Sequence, residues 1–149
     1  MAKKRTLFIM NLNYSHTITF RVRYSETDRM GYCYHGNYAT YFELGRVEAL
    51  RSLGVVYKVL EDEGILLPVV SMSIQFKAPA MYDDLLRLET RLVRAENCTL
   101  EFSYSLFNEN NQILTTAKTV LVFQSLHNRK PMRIPEDLRT ILAANEINS

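Results

Sequence analysis

Two residues of different chemistry stand seven positions apart near the middle of the first third of the chain, Asp28 and His35. They lie in the stretch Tyr24 to Leu53, YSETDRMGYCYHGNYATYFELGRVEALRSL. The stretch starts as the end of a strand, becomes a polar loop and runs into a long helical pattern. Gly36 and Asn37 suit the start of that helix. The N–H groups of a helix's first turn have no partners inside the helix and carry partial positive charge. A carboxylate held near such an end can attack a carbonyl, or activate water against it, while the carbonyl oxygen rests on those N–H groups. That arrangement suits hydrolysis of an acyl bond.

Each neighbouring residue also has a plainer reading. Asp28 can be a loop aspartate that caps local N–H groups. Glu26 would share its side if the strand continued, and is read as solvated. His35 is open to three roles: proton shuttle, partner of Asp28, or a half-buried histidine. Cys33 and His35 suggest a nucleophile pair, but two residues apart their side chains need not meet, and no orienting third group is evident. Asn37 and Tyr38 stand where they can cap, pack or touch a ligand. Glu43 is read as pairing with Arg46, and Glu48 with Arg51, at i,i+3. The cations Lys77, Arg129, Lys130 and Arg133 flank strand ends and suit phosphate groups. His16 and His127 are too isolated to be metal ligands, so no metal site is expected. Nucleophile-elbow, P-loop and dinucleotide fingerprints are missing from the sequence.

The elements that must position these residues follow from periodicity. Ile18, Phe20, Val22 and Tyr24 alternate with Thr19, Arg21 and Arg23 as a half-buried strand. Over 37–53, Tyr38, Phe42, Gly45, Ala49 and Leu53 form one stripe. Ala39, Leu44 and Val47 extend the apolar character around the helix, which predicts burial on nearly all sides. A short helix is expected over 57–63. Then come strands at Val69–Phe76, from Leu86, over Cys98–Leu106 and over Gln112–Gln124, and a short helix opened by Pro135. One helix against an antiparallel sheet is an α+β domain.

At 149 residues the chain suits one domain with a real core. A net charge of +2 is too small to argue for nucleic acid. Two cysteines without metal spacing, Cys33 and Cys98, fit a reducing cytoplasm. No run approaches the length of a membrane helix. Residues 1–16 read as a loose extension and 17–149 as the domain.

ETDRMGYCYHGNYATYFELGR resembles the signature of the 4-hydroxybenzoyl-CoA thioesterase family, closest to the branch of acyl-CoA thioesterases associated with the Tol–Pal system. The matching positions are Thr27-Asp28, Gly31, Tyr34-His35, Asn37-Tyr38 and Tyr41-Phe42-Glu43. Phe76-Lys77-Ala78-Pro79-Ala80, with Asp84 and Leu86, resembles the family's next block. The likeness covers about residues 17–135. It implies the hotdog fold, a long sheet wrapped around one helix. It implies an acyl-CoA thioester hydrolase with Asp28 as general base or nucleophile, and with the N–H at His35, beside Gly36, polarising the carbonyl. Coenzyme A enters only as part of the substrate, with no other cofactor. The resemblance also implies a homo-oligomer, dimer or tetramer, with active sites between subunits. A non-catalytic acyl-CoA-binding domain and a hotdog dehydratase are the rival readings.

Overall fold

The computed structural model describes residues 8–147. Its elements are β1 (Ile9–Arg21), a 3-10 turn (Tyr24–Glu26), α1 (Asn37–Ser52), α2 (Tyr57–Asp62), β2 (Ile65–Leu66), β3 (Val69–Phe76), β4 (Leu85–Glu96), β5 (Thr99–Phe107), β6 (Ile113–Val122), β7 (Gln124–Ser125) and α3 (Glu136–Ala143). Five long strands form one antiparallel sheet in the order β1-β4-β5-β6-β3. The short strands β2 and β7 pair separately.

The inner face of the sheet is the one that alternation marks. Leu86, Leu88, Thr90 and Leu92 of β4 are buried, as are Leu100, Phe102, Tyr104 and Leu106 of β5. Helix α1 lies on them through Tyr38, Phe42, Gly45 and Ala49. Gly45 sets how closely: a Cβ there would stand 2.7 Å from Leu88 Cδ2 and closer still to the Thr90 hydroxyl. Phe42 is fully buried, and its truncation to alanine would cost about 3–5 kcal/mol.

Three expectations need correcting. The strand expected from Thr17 begins at Ile9, so residues 9–16 belong to the sheet rather than to a loose extension. Met10 and Leu12 are buried with the core. A register shift between Asn11 and Tyr14, together with polar His16, hid this half of the strand from a simple alternation test. Residues 1–7 of the expected extension lie outside the described residues. Secondly, α1 is not enclosed on all sides, since Thr40, Glu43 and Leu44 face solvent. Thirdly, Glu43 and Arg46 form no ion pair. Arg46 turns inward and is 8% exposed, while Glu48 and Arg51 do pair, at 3.3 Å. The Arg46 guanidinium lies close enough to the Tyr57 and Tyr104 hydroxyls to offset part of the upward push that burial exerts on both.

The two edges of the sheet differ. Beyond β1, the C-terminal segment continues the hydrogen bonding: Asn13 N–H donates to the Asn145 carbonyl (3.0 Å) and Ile147 N–H to that of Asn11 (2.9 Å). Beyond β3, no strand pairs among the described residues. Val70, Met72 and Phe76 of β3 are 59%, 44% and 55% exposed. No helix among the described residues is long and apolar enough to cross a membrane.

Candidate active site

After β1, the chain is pinned to the sheet's end by Val22 N–H on the Asp84 carbonyl (3.0 Å) and Asp83 N–H on that of Val22 (3.0 Å). The strand stops there, because Glu26 N–H turns back to the Arg23 carbonyl at 2.9 Å. Asp28 then heads a tight turn. Its N–H donates to the Tyr32 carbonyl (2.8 Å), and its own carbonyl accepts from Gly31 N–H (3.0 Å). Gly31 sits at φ +80°, a conformation that favours glycine. The Asp28 carboxylate completes the turn: Oδ1 accepts from Met30 N–H at 2.8 Å and from Tyr32 N–H at 3.2 Å. The plain reading of Asp28 therefore holds for one oxygen. The other, Oδ2, has no hydrogen-bond partner among the described residues.

The chain next approaches α1. Cys33 N–H donates to the Ala80 carbonyl (2.7 Å), and Tyr34 N–H to that of Glu26 (2.8 Å). Asn37 N–H returns to Tyr34 (2.9 Å) and Tyr38 N–H to His35 (3.3 Å). His35 and Gly36 are the residues in this run whose N–H groups find no acceptor. Gly36 already has helical dihedrals, φ −64° and ψ −19°. The free donors thus belong to the positive end of α1.

Asp28, His35, Tyr38, Phe76 and Lys77 line one cleft of about 380 Å³. Its apolar floor is Tyr38 against Phe76, with the backbone bend at Ala78-Pro79 beside them. The sequence-derived set is brought together only in part. Asn37 does not line the cleft; its Nδ2 donates to the Glu26 carbonyl at 2.7 Å. The His35 ring packs against Tyr34, tilted by 45° with centroids 4.4 Å apart, and makes no hydrogen bond to Asp28. Glu43 lies on the solvent side of α1.

The four cations expected together are separated within the chain. Lys77 N–H donates to the Leu114 carbonyl at 2.8 Å, near the start of β6. Lys130 accepts from Ser125 N–H at 3.0 Å, beyond the other end of β6, and Arg129 and Arg133 flank it. From Leu114 to Val122 a strand rises about 26 Å at roughly 3.3 Å per residue. The cause is topological: the residues after β6 end beside β2, far from the loop that carries Asp28.

Cys33 is buried, and its Sγ meets the Tyr41 hydroxyl at 3.3 Å. Burial pushes the thiol's pKa up. A protonated, engaged thiol with no hydrogen bond to His35 is not a nucleophile pair. The residue that sequence reasoning misjudged most is Glu26. It is 7% exposed and bonds to Arg23 and Tyr41. It reads as solvated because the family signature falls on Asp28 alone, although the alternation of Ile18, Phe20, Val22 and Tyr24, if continued, puts it on the buried face.

Residues 22–142 match the thioesterase-like superfamily. The chain belongs to that superfamily. Among relatives, the acyl-CoA thioester hydrolase YbgC of Escherichia coli is 30% identical over 118 residues, covering 79% of this chain and 88% of that protein. Among solved structures, a DHNA-CoA thioesterase from Staphylococcus aureus superposes with a TM-score of 0.85 at 30% identity, covering 88% of this chain and 90% of that one. A 1,4-dihydroxy-2-naphthoyl-CoA thioesterase from Synechocystis gives 0.81 at 25% identity over 87% and 96%. The long sheet with α1 packed on its face is the superfamily's hotdog fold, as the sequence resemblance implied. The class of enzyme is likewise the expected one, a thioester hydrolase.

Proposed function

We propose that this protein hydrolyses the thioester of an acyl-CoA through Asp28. The observation that carries the proposal is that Asp28, with Oδ2 unbonded, and His35, with its N–H unbonded, line the same cleft. Water attacks the thioester carbonyl while Asp28 Oδ2 takes its proton. The developing oxyanion rests on the N–H groups of His35 and Gly36 at the positive end of α1. Collapse of the tetrahedral intermediate breaks the carbon–sulfur bond, and the proton held by Asp28 passes to the departing thiolate. The products are the free acid and coenzyme A. No metal or redox cofactor enters this scheme.

The acyl group in this reading is apolar, because Tyr38, Phe76, Ala78 and Pro79 supply the cleft's floor. It does not run along the buried stripe of α1, which Phe42 and Gly45 fill against the sheet. The names of the relatives, several of which act on aromatic acyl-CoA, support this preference. Each methylene that leaves water contributes about 0.8 kcal/mol.

The working unit in this reading is a homo-oligomer, built first by joining two β3 edges. An antiparallel β3 pair related by a twofold axis would set the far end of one sheet beside the cleft of the other. Arg129, Lys130 and Arg133 of the second copy would then meet the phosphates of a coenzyme A bound near Lys77. Two free cysteines support a reducing, cytoplasmic setting. A panel of acyl-CoA substrates read with a thiol reagent tests the function. Release of free coenzyme A, faster with octanoyl- or benzoyl-CoA than with acetyl-CoA, is expected. Binding without turnover would instead make the chain a ligand-binding domain.

A further inference from the structure

We infer that Glu26 is a positioning residue for this hydrolysis: its buried carboxylate and main-chain carbonyl together lock the loop that carries Asp28 onto the start of α1. The inference rests on the function proposed above. Glu26 stands two residues before Asp28 and bonds to three of the segments that meet there: the chain leaving β1, the approach to the helix, and α1. Its Oε1 accepts from Arg23 N–H at 2.8 Å and from the Tyr41 hydroxyl at 3.0 Å. Its Oε2 accepts from the Arg23 guanidinium at 2.9 Å. Its main-chain carbonyl accepts from Tyr34 N–H at 2.8 Å and from Asn37 Nδ2 at 2.7 Å. Arg23 belongs to the chain leaving β1, Tyr34 to the approach to the helix, and Asn37 and Tyr41 to successive turns of α1. One residue therefore fixes the carboxylate-bearing turn and the free N–H groups of His35 and Gly36 relative to each other.

Hydrogen bonding, rather than packing, holds the side chain. A hollow of about 530 Å³ adjoins Glu26, with Phe20, Arg21, Arg23, Tyr41 and Leu44 among its walls. An apolar residue of the same size would lean into that space with nothing to direct it. The lock also reaches the cleft from behind. The Tyr41 hydroxyl donates to Glu26, so its oxygen is left to accept from the Cys33 thiol. Cys33 in turn lines the cleft. Burial of a carboxylate is costly unless every oxygen is paired, as both are here. Fixed geometry is what a general base facing an oxyanion site requires, and a misplacement of about 1 Å can cost about 10²-fold in rate.

The test compares Glu26→Gln, Tyr41→Phe, the double variant and Asp28→Asn, each in the full chain, with the acyl-CoA that the parent turns over fastest. Temperatures are chosen at which circular dichroism and light scattering show each variant folded and assembled as the parent is. Glu26→Gln and Tyr41→Phe are expected to lower kcat by up to about 10²-fold with KM nearly unchanged. The double variant should be little worse than the worse single, because both act through one lock. Parent kcat in folded Glu26→Gln, with only a lower melting temperature, would overturn the inference. Should Glu26→Gln fail to fold, parent kcat in Tyr41→Phe overturns it equally. Loss of kcat in Asp28→Asn alone leaves the proposed function standing and removes the role of Glu26. Parent kcat in Asp28→Asn removes the proposed function itself.

Discussion

Phe76, the last residue of the unpaired edge strand β3, meets Tyr38 of the first turn of α1 edge to face, with ring centroids 5.2 Å apart. The contact joins the open edge of the sheet to the floor of the cleft. Whatever covers that edge therefore also shapes the site.

The edge strand presents Val70 and Met72 to solvent along an unpaired backbone, a surface that monomeric proteins normally blunt with charge. Met72→Lys should keep the fold of the chain, because the side chain is exposed, and should oppose pairing of two copies. Light scattering is expected to show a shift from dimer or larger toward monomer, with a parallel fall in specific activity. A parent protein that is monomeric and active at working concentration would contradict this.

Lys77 and the distant set Arg129, Lys130 and Arg133 should act on binding rather than on chemistry. Phosphates far from the thioester are bound equally in ground and transition states, so their loss raises KM more than it lowers kcat. Lys77→Ala and the triple alanine variant should each raise KM, and added salt should do the same in the parent. In a β3-edge monomer, the triple variant should have no further effect, because its cations would serve only a second copy. A fall in kcat at parent KM would refute the assignment.

Glu26 makes stability depend on pH in a defined direction. Burial alone would raise its carboxyl pKa, but the hydrogen bonds from Arg23 and Tyr41 outweigh burial and hold it below the ordinary value of 4.5. A carboxyl lowered by folding adds stability above its unfolded value, and that stability is lost as pH falls through the folded value. The groups that face it do not titrate in that acid window. Arg23, raised by its hydrogen bond to Glu26, stays cationic, and the Tyr41 hydroxyl and Cys33 thiol, both pushed up mainly by burial, stay protonated. Denaturant melts of parent and Glu26→Gln should differ at neutral pH and converge below the ordinary carboxyl range. A constant difference across that range would contradict the account.

Much of this is legible in the sequence. The alternating faces of β4 and β5 and the stripe of α1 follow from periods of two and 3.6 residues. Those periods survive because one face of each element is buried. Asp28 and His35 were legible because a turn and a helix start have local signatures. What stayed hidden depends on position across the sheet. Glu26 reads as solvated because the family signature falls on Asp28 alone, and its partners Arg23, Tyr34, Asn37 and Tyr41 come from segments that meet only in the fold. Arg46 reads as a surface partner of Glu43, although the two tyrosines that flank it come from α2 and β5. Lys77 and Arg129–Arg133 read as one cluster, because sequence does not show that they occupy opposite ends of β6. The first half of β1 was masked by a single bulge.

The central claim is that Asp28 Oδ2 performs the chemistry, and one measurement reaches it most directly. Asp28→Asn retains the side chain's shape and one oxygen to accept from Met30 and Tyr32, so fold and assembly should persist. It cannot take a proton usefully from water. Steady-state hydrolysis of the best acyl-CoA should show kcat reduced by about 10²–10⁴-fold, while calorimetry shows substrate still bound. His35→Ala, which leaves the main-chain N–H in place, should lose far less. Parent kcat in a folded Asp28→Asn, above all with activity lost in Glu43→Gln instead, would contradict the account and move the catalytic carboxylate onto the helix.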